Sequence, residues 1–551
     1  MRQEDQEKIL TELRSRVLHG ISEDATAGRI RLDEVLADSI FYEQKRLKED
    51  RDGGRAHKED AAFWKDARKE MQRANDRTLL NLMGAAVDRY GKEIAGYFDP
   101  RVYKLVTRAG EPALGLLLNA VTPKRVLGDF THLPSLEDAL VVQGEVEHIR
   151  RLHELGTVIC VPTHVSNMDS IIVGYALYKL GLPPFLYGAG LNLFSNPLIG
   201  YFMRNLGAYT VDRKKQDPLY KDVLKEYATL TLEYGYDNIF FPGGTRCRSG
   251  AVEKKLKLGL LSSGLSAYIY NLQRARPTPK IFIVPATISY ELVLEAETLI
   301  DDFLKEVGKS RYIITDDEFS HPKRVFDFIR QLFSLDSKIF FTLGRGVDPF
   351  GNPVDDNGES LDPGGRRIDI SRYVLRDGKP THVPQRDAEY TREVGNKLSD
   401  AYFRDNVIQS THVTARAILS ILRRQNPTVD TLRLIRAGGE KDDVELLAVY
   451  KEVDRLLGEL RGLTARGGIR LGPYVRDKSA EEVVTDGLRH FAIFHAEPAA
   501  VAAVPVFHPR DKVRRRRDLH AVPLLAGPPG DLRELIDAHV ELGKIYVEKG
   551  D

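Results

Sequence analysis

Through the first hundred residues charged positions interrupt the apolar ones. From Glu4 to about Tyr97 the chain is proline-free and rich in Leu, Ala, Glu, Lys and Arg. That composition predicts helices with solvated outer faces, and the charge run from Lys45 to Asp60, with Gly53-Gly54, reads as an exposed loop or helix end. The pattern changes near Leu140. Val141–Gly144 and the β-branched run Thr157–Val161 read as strands around a helical Glu145–Leu155, a β-α-β pattern with which a mostly parallel sheet begins. Ser170–Leu180 follows as an apolar helix stopped by Gly181, with Asp169 as its expected N-cap. Leu206–Arg213 reads as a strand ending in a cation, Asn238–Phe241 as a short strand, and Ile281–Val284 as a strand that ends at Pro285. From Arg386 the pattern is helical again, through Ala415–Leu422 and Asp443–Leu463. The expected fold class is therefore α/β, a mostly parallel sheet in residues 106–385 flanked by helical regions at 1–105 and 386–551.

Length and charge narrow the function classes. A chain of 551 residues holds about three units at ~100–200 residues each, enough to bury a site. With 81 Lys+Arg against 80 Asp+Glu, nothing global points to nucleic acid, and the C-terminal helices lack a DNA binder's basic surplus. Two cysteines, Cys160 and Cys247, exclude a disulfide scaffold or cysteine-rich zinc site and fit a cytosol-facing protein. The first residues lack the apolar core of a secretory signal, so no export is expected. The most apolar windows, such as Pro112–Val121 and Pro498–Phe507, fall well short of the ~20 residues of a spanning helix. The basic run Arg510–Arg517 is either a solvated segment or a contact for anionic lipid headgroups. The Gly/Pro/Asp-rich stretch Asp348–Asp369 lacks the ligand spacing of a calcium loop and reads as a structured surface loop.

Candidate chemistry gathers at the predicted strand ends. His164 and Asp169 stand at a strand-to-helix seam, where open α/β sheets collect ligands, and the carboxylate can orient the imidazole as a general base. After the Asn238 strand comes Pro242-Gly243-Gly244-Thr245-Arg246-Cys247-Arg248, then Lys257. Glycines that admit backbone N–H groups and forked guanidinium groups make such a turn an anion site, or else it is simply a solvated turn.

Taken in order, these residues resemble the four blocks of the glycerolipid acyltransferases. They are the H-x4-D block at His164 and Asp169, the glycine–arginine block at Gly207 and Arg213, the F-P-E-G-T-R-S-R block at Phe241–Arg248, and the V-P block at Val284-Pro285. Tyr290–Glu295 resembles the continuation found in the large glycerol-3-phosphate and dihydroxyacetone-phosphate acyltransferases. Two blocks depart from the pattern: Gly243 stands where glutamate is usual and Cys247 where serine is usual, and Thr163 replaces an asparagine that often precedes the histidine. No role of that glutamate carries over to Gly243.

The resemblance implies a catalytic pair, His164 and Asp169, and an acceptor-binding set of Arg213, Gly244, Thr245, Arg246, Arg248, Lys257 and Pro285. His164 would deprotonate an acceptor hydroxyl for attack on an acyl thioester, of coenzyme A or acyl carrier protein, with no metal or redox cofactor. Glycerol 3-phosphate is the expected acceptor, acylated at sn-1 on the cytoplasmic face of a membrane by a peripheral protein. Dihydroxyacetone phosphate, lysophosphatidate and a non-catalytic lipid-binding relative are the alternatives. An α/β-hydrolase is excluded by the absence of a G-x-S-x-G elbow.

Overall fold

The computed structural model describes residues 1–49, 55–105, 139–166, 168–191, 197–247, 252–293, 337–429, 443–491 and 512–514. Arg248, Leu294-Glu295, the windows 112–121 and 498–507 and most of the basic run 510–517 lie outside them. Four helices open the chain: α1 (Gln3–Thr26), α2 (Leu32–Glu49), α3 (Arg55–Met71) and α4 (Asp76–Ile94). The sheet is built from β1 (Leu140–Gly144), β2 (Thr157–Pro162), β3 (Leu186–Gly190), β4 (Ala208–Val211), β5 (Asn238–Ile239), β6 (Ile281–Tyr290) and β7 (Ile339–Leu343). Between its strands run α5 (Val146–Leu155), α6 (Asp169–Lys179), α7 (Pro197–Asn205), α8 (Pro218–Glu233) and α9 (Leu258–Gln273). Then come α10 (Pro384–Asp405), α11 (Ser410–Gln425), α12 (Leu446–Ala465), the short α13 (Pro473–Asp477) and α14 (Ala480–Phe491).

The sheet order is β1-β7-β6-β2-β5-β3-β4. Every pairing is parallel except β6 with β7, so the fold is α/β with a mostly parallel sheet, as expected. The β-α-β pattern at its start does not close as a parallel pair. β1 pairs in parallel with β7, which lies two strands from β2, so β1 runs opposite to β2. Which strands neighbour one another depends on β7, nearly two hundred residues on, whose Ile339–Leu343 is a continuous buried run. β6 also differs from expectation: it continues unbroken through Pro285. Its first half pairs with β2 and its last five residues with β7, Ala286 lying opposite Leu343. The Pro285 carbonyl accepts from Gly344 N–H, just beyond the end of β7, so its missing N–H falls where the antiparallel ladder has not begun.

All of β2 is buried, which suits a central strand covered on both faces. Val158 and Cys160 pack toward α5, α6 and the C-terminal helices, whereas Ile159 and Val161 pack toward α9 and α10. The N-terminal helices build a separate core with α8, including Ile9, Leu36, Trp64, Met83, Tyr90 and Tyr227. Arg16 of α1 joins it by ion pairs to Glu226 (2.7 Å) and Glu233 (2.6 Å) of α8.

Candidate active site

The turn after β2 delivers His164 beside the start of α6. His164 Nδ1 lies 2.8 Å from Asp169 Oδ2. The same oxygen accepts from the N–H groups of Val165 (2.6 Å) and Ser166 (2.9 Å), while Oδ1 accepts from the Tyr290 hydroxyl (2.7 Å). Asp169 is fully buried, and these four partners hold its charge in place. It is therefore not the N-cap of α6. The cap position belongs to Met168, and the Asp169 carboxylate turns back to the preceding loop instead of bonding the helix's first N–H groups. A proton on His164 Nδ1 pointing at this carboxylate leaves Nε2 as the basic nitrogen.

The third block wraps His164. Phe241 stacks on the imidazole at 4.4 Å between centroids, and Cys247 N–H donates to the His164 carbonyl at 2.7 Å. Glu253 Oε1 accepts from the His164 N–H at 2.9 Å. Burial pushes the Glu253 carboxyl up to about 8; the His164 N–H works against that shift and the nearby Asp169 charge adds to it. Gly244, at φ +75, turns this loop, and a Cβ there would meet Lys257 Cγ at 2.8 Å. Lys257 is the N-cap of α9, and its N–H closes the loop onto the Pro242 carbonyl.

Arg213 follows β4 on a turn that the N-terminal helices anchor. Lys215 is buried against Glu93 and Glu43, and Asp217 accepts from Tyr90 (2.7 Å) and Ser39 (3.0 Å). Although Arg213 is exposed overall, desolvation of its guanidinium, and then repulsion from Arg246, hold it below the usual arginine range. Arg213 and Arg246 thus stand near enough for their charges to repel, and Arg246 is one residue from the Cys247 N–H that binds the His164 carbonyl. Thr245 is exposed on the same turn. Pro285 sits on the neighbouring strand, opposite Val161.

Spacing does not single out Tyr290 or Glu253: Tyr290 stands out only through the resemblance, and Glu253 carries no local signal. A second buried cluster, Glu291, Asp486 and His490, has ligand atoms within 4.8 Å of one another. Its groups are taken up by the protein: Ser410 bonds both carboxylates, while His490 meets Ser337 Oγ and the Asp486 carbonyl. It joins the end of β6 to α11 and α14.

A family model described as Acyltransferase matches residues 143–289. Among curated proteins, a glycerol-3-phosphate acyltransferase of Pseudomonas fluorescens is 28% identical over 284 residues, 51% of this chain and 30% of that protein. One of Aeromonas hydrophila is 33% identical over 277 residues, 49% of this chain and 29% of that protein. One of Ectopseudomonas mendocina is 29% identical over 279 residues, covering 50% and 30%. The matched stretch thus spans less than a third of the length of these relatives.

Proposed function

We propose that the chain is a glycerolipid acyltransferase, as its similarity over residues 143–289 and to glycerol-3-phosphate acyltransferases supports, and that it transfers a fatty acyl group from a thioester to the sn-1 hydroxyl of glycerol 3-phosphate. The observation that carries this reading is the juxtaposition of a carboxylate-oriented His164 with the Arg213–Arg246 pair. The base suits a hydroxyl nucleophile, and the guanidinium pair suits a phosphate dianion on the same small molecule.

In the reaction, His164 Nε2 takes the acceptor hydroxyl proton as the oxygen attacks the thioester carbonyl. The tetrahedral intermediate then collapses with cleavage of the C–S bond, and the departing sulfur takes the proton from His164, giving the free thiol, the ester and the neutral base. Asp169, fixed by Tyr290 and two backbone N–H groups, steadies the imidazolium between these steps. The donor is acyl-CoA or an acylated carrier protein. Dihydroxyacetone phosphate is the nearest alternative acceptor, since it offers a phosphate and a hydroxyl at the same separation. No described helix is long and apolar enough to cross a membrane. We propose peripheral attachment at the cytoplasmic face, where the product enters the bilayer and the basic run Arg510–Arg517 would meet anionic headgroups.

The test is thiol release from acyl-CoA with glycerol 3-phosphate, dihydroxyacetone phosphate or lysophosphatidate added separately. Release should depend on glycerol 3-phosphate. His164→Ala should lower kcat by ~10²–10⁴. Arg246→Ala should raise the acceptor KM by about ten-fold or more, since a lost phosphate contact costs ~2–5 kcal/mol. Product from lysophosphatidate alone would sink the assignment, and near-normal turnover by His164→Ala would sink the mechanism.

A further inference from the structure

The loop that wraps the base lacks a side chain at Gly243, yet the space beside it is filled. A Cβ built at Gly243 would lie 2.5 Å from Glu253 Oε1 and 3.1 Å from both Glu253 Cδ and Cγ. The volume that a side chain at position 243 would enter therefore belongs to the Glu253 carboxyl group. Position 243 is where the resembled block has glutamate. Gly243 does not carry the positive φ of Gly244, so its backbone would admit an ordinary residue, and what excludes one is Glu253. Glu253 is itself held from outside the block, its carbonyl accepting from Ser399 Oγ of α10 at 2.9 Å.

We propose that Glu253 is a positioning residue for His164, supplying from ten residues downstream the carboxyl group that position 243 no longer carries. Its Oε1 fixes the His164 N–H, while the Cys247 N–H fixes the His164 carbonyl, so both main-chain groups of the base are tied to the third-block loop. With Phe241 stacked on the ring, the imidazole is held by backbone and face together. Its Oε2 is buried and has no hydrogen-bond partner among the described residues, so the carboxyl group is not spent on another structural contact there. The lost block glutamate is thus a relocation, and Gly243 and Glu253 are a compensating pair.

This inference rests on His164 acting as the base, and a relocation experiment separates the two. In the full chain, with palmitoyl-CoA and glycerol 3-phosphate, Glu253→Ala should lower kcat by about 10²-fold with little change in KM, the scale of a misplaced catalytic group. Glu253→Gln, which keeps an accepting oxygen, should retain most of the activity. Gly243→Glu alone should lose activity and melt lower, because two carboxyl groups compete for one space. The double variant Gly243→Glu/Glu253→Ala should return to within about ten-fold of wild-type kcat. Gly243→Met/Glu253→Ala, which fills the space without an acceptor, should stay as slow as Glu253→Ala. Equal rescue by Met and Glu would make Glu253 a space-filler and overturn the proposal, as would no rescue by Glu. The melting temperatures decide independently of turnover: if Gly243→Glu costs the same with Glu253 present as with alanine there, the shared site is disproved. A wild type inactive toward glycerol 3-phosphate would count against the proposed function alone.

Discussion

At the scale of single residues, the site is governed by how buried charge is satisfied. Asp169 is fully buried, yet two backbone N–H groups, Tyr290 and the imidazole surround it, so an ionised carboxylate is tolerated where it can orient His164. Glu253 is the opposite case, with one accepted hydrogen bond and an unpartnered oxygen among the described residues. Burial pushes its carboxyl up to about 8, so the folded protein holds a proton there that the unfolded chain releases near 4.5. Stability from this group is present below that lower value and is lost as pH rises through about 8. Thermal melts of wild type and Glu253→Gln should therefore diverge with pH, the difference moving against the wild type between about pH 5 and about pH 9. A constant difference across that window would contradict a neutral buried carboxyl.

Among the elements, the stretch after β7 is a regular device that its composition disguised. Asp348, Asp355 and Asp362 each accept from two backbone N–H groups ahead of them, and Gly351, Gly358 and Gly365 each follow at positive φ. The bridges Val347–Pro353, Val354–Ser360 and Leu361–Arg367 repeat along with them. The result is three successive seven-residue turns that begin where Val347 bridges Ile283 of β6 and pack against Phe282 and α5, and the expectation of a structured loop becomes specific. A Cβ at Gly358 would meet Phe282 Cζ of β6 at 2.8 Å, whereas one at Gly365 meets nothing within 4 Å. Left-handed strain alone should make Gly365→Ala cost about 1–2 kcal/mol, and overpacking against Phe282 should add roughly 1–3 kcal/mol for Gly358→Ala. Denaturant midpoints compare the two, and equal losses would mean that Phe282 yields freely.

For the molecule as a whole, the N-terminal helices do more than cover α8. Lys215 is 3% exposed and lies between Glu93 of α4 and Glu43 of α2, two residues beyond Arg213. Burial raises the Glu43 carboxyl, and the Lys215 and Arg46 charges oppose that. Removing the lysine leaves Glu43 with Arg46 alone and takes away the ion pair of half-buried Glu93, so Lys215→Met should cost about 3 kcal/mol, the low end for breaking a buried pair. It should also loosen the turn that carries Arg213, raising the acceptor KM more than it lowers kcat. A stable Lys215→Met protein with normal acceptor affinity would show that the helical region and the anion site are independent.

The amino-acid sequence by itself determined the strands at Val141–Gly144, Thr157–Val161 and Ile281–Val284, the order of the four blocks and the closeness of His164 to Asp169, because those depend on local periodicity and on residues a few positions apart; β3 and β7 were legible only in the assembled sheet. Thr157–Val161 reads as a buried strand for the same reason that it is one: an unbroken apolar run suits only a strand covered on both faces. Only the tertiary structure decided that β1 lies against β7, that β6 passes through Pro285, and that Tyr290 reaches back to Asp169. It also decided that Glu253 fills the space beside Gly243. Each of these is a contact between segments far apart in the chain or carried round a loop. Such contacts are selected by which backbone groups lack partners and which volumes stand empty once the sheet has assembled, and neither quantity is written in any short window of residues.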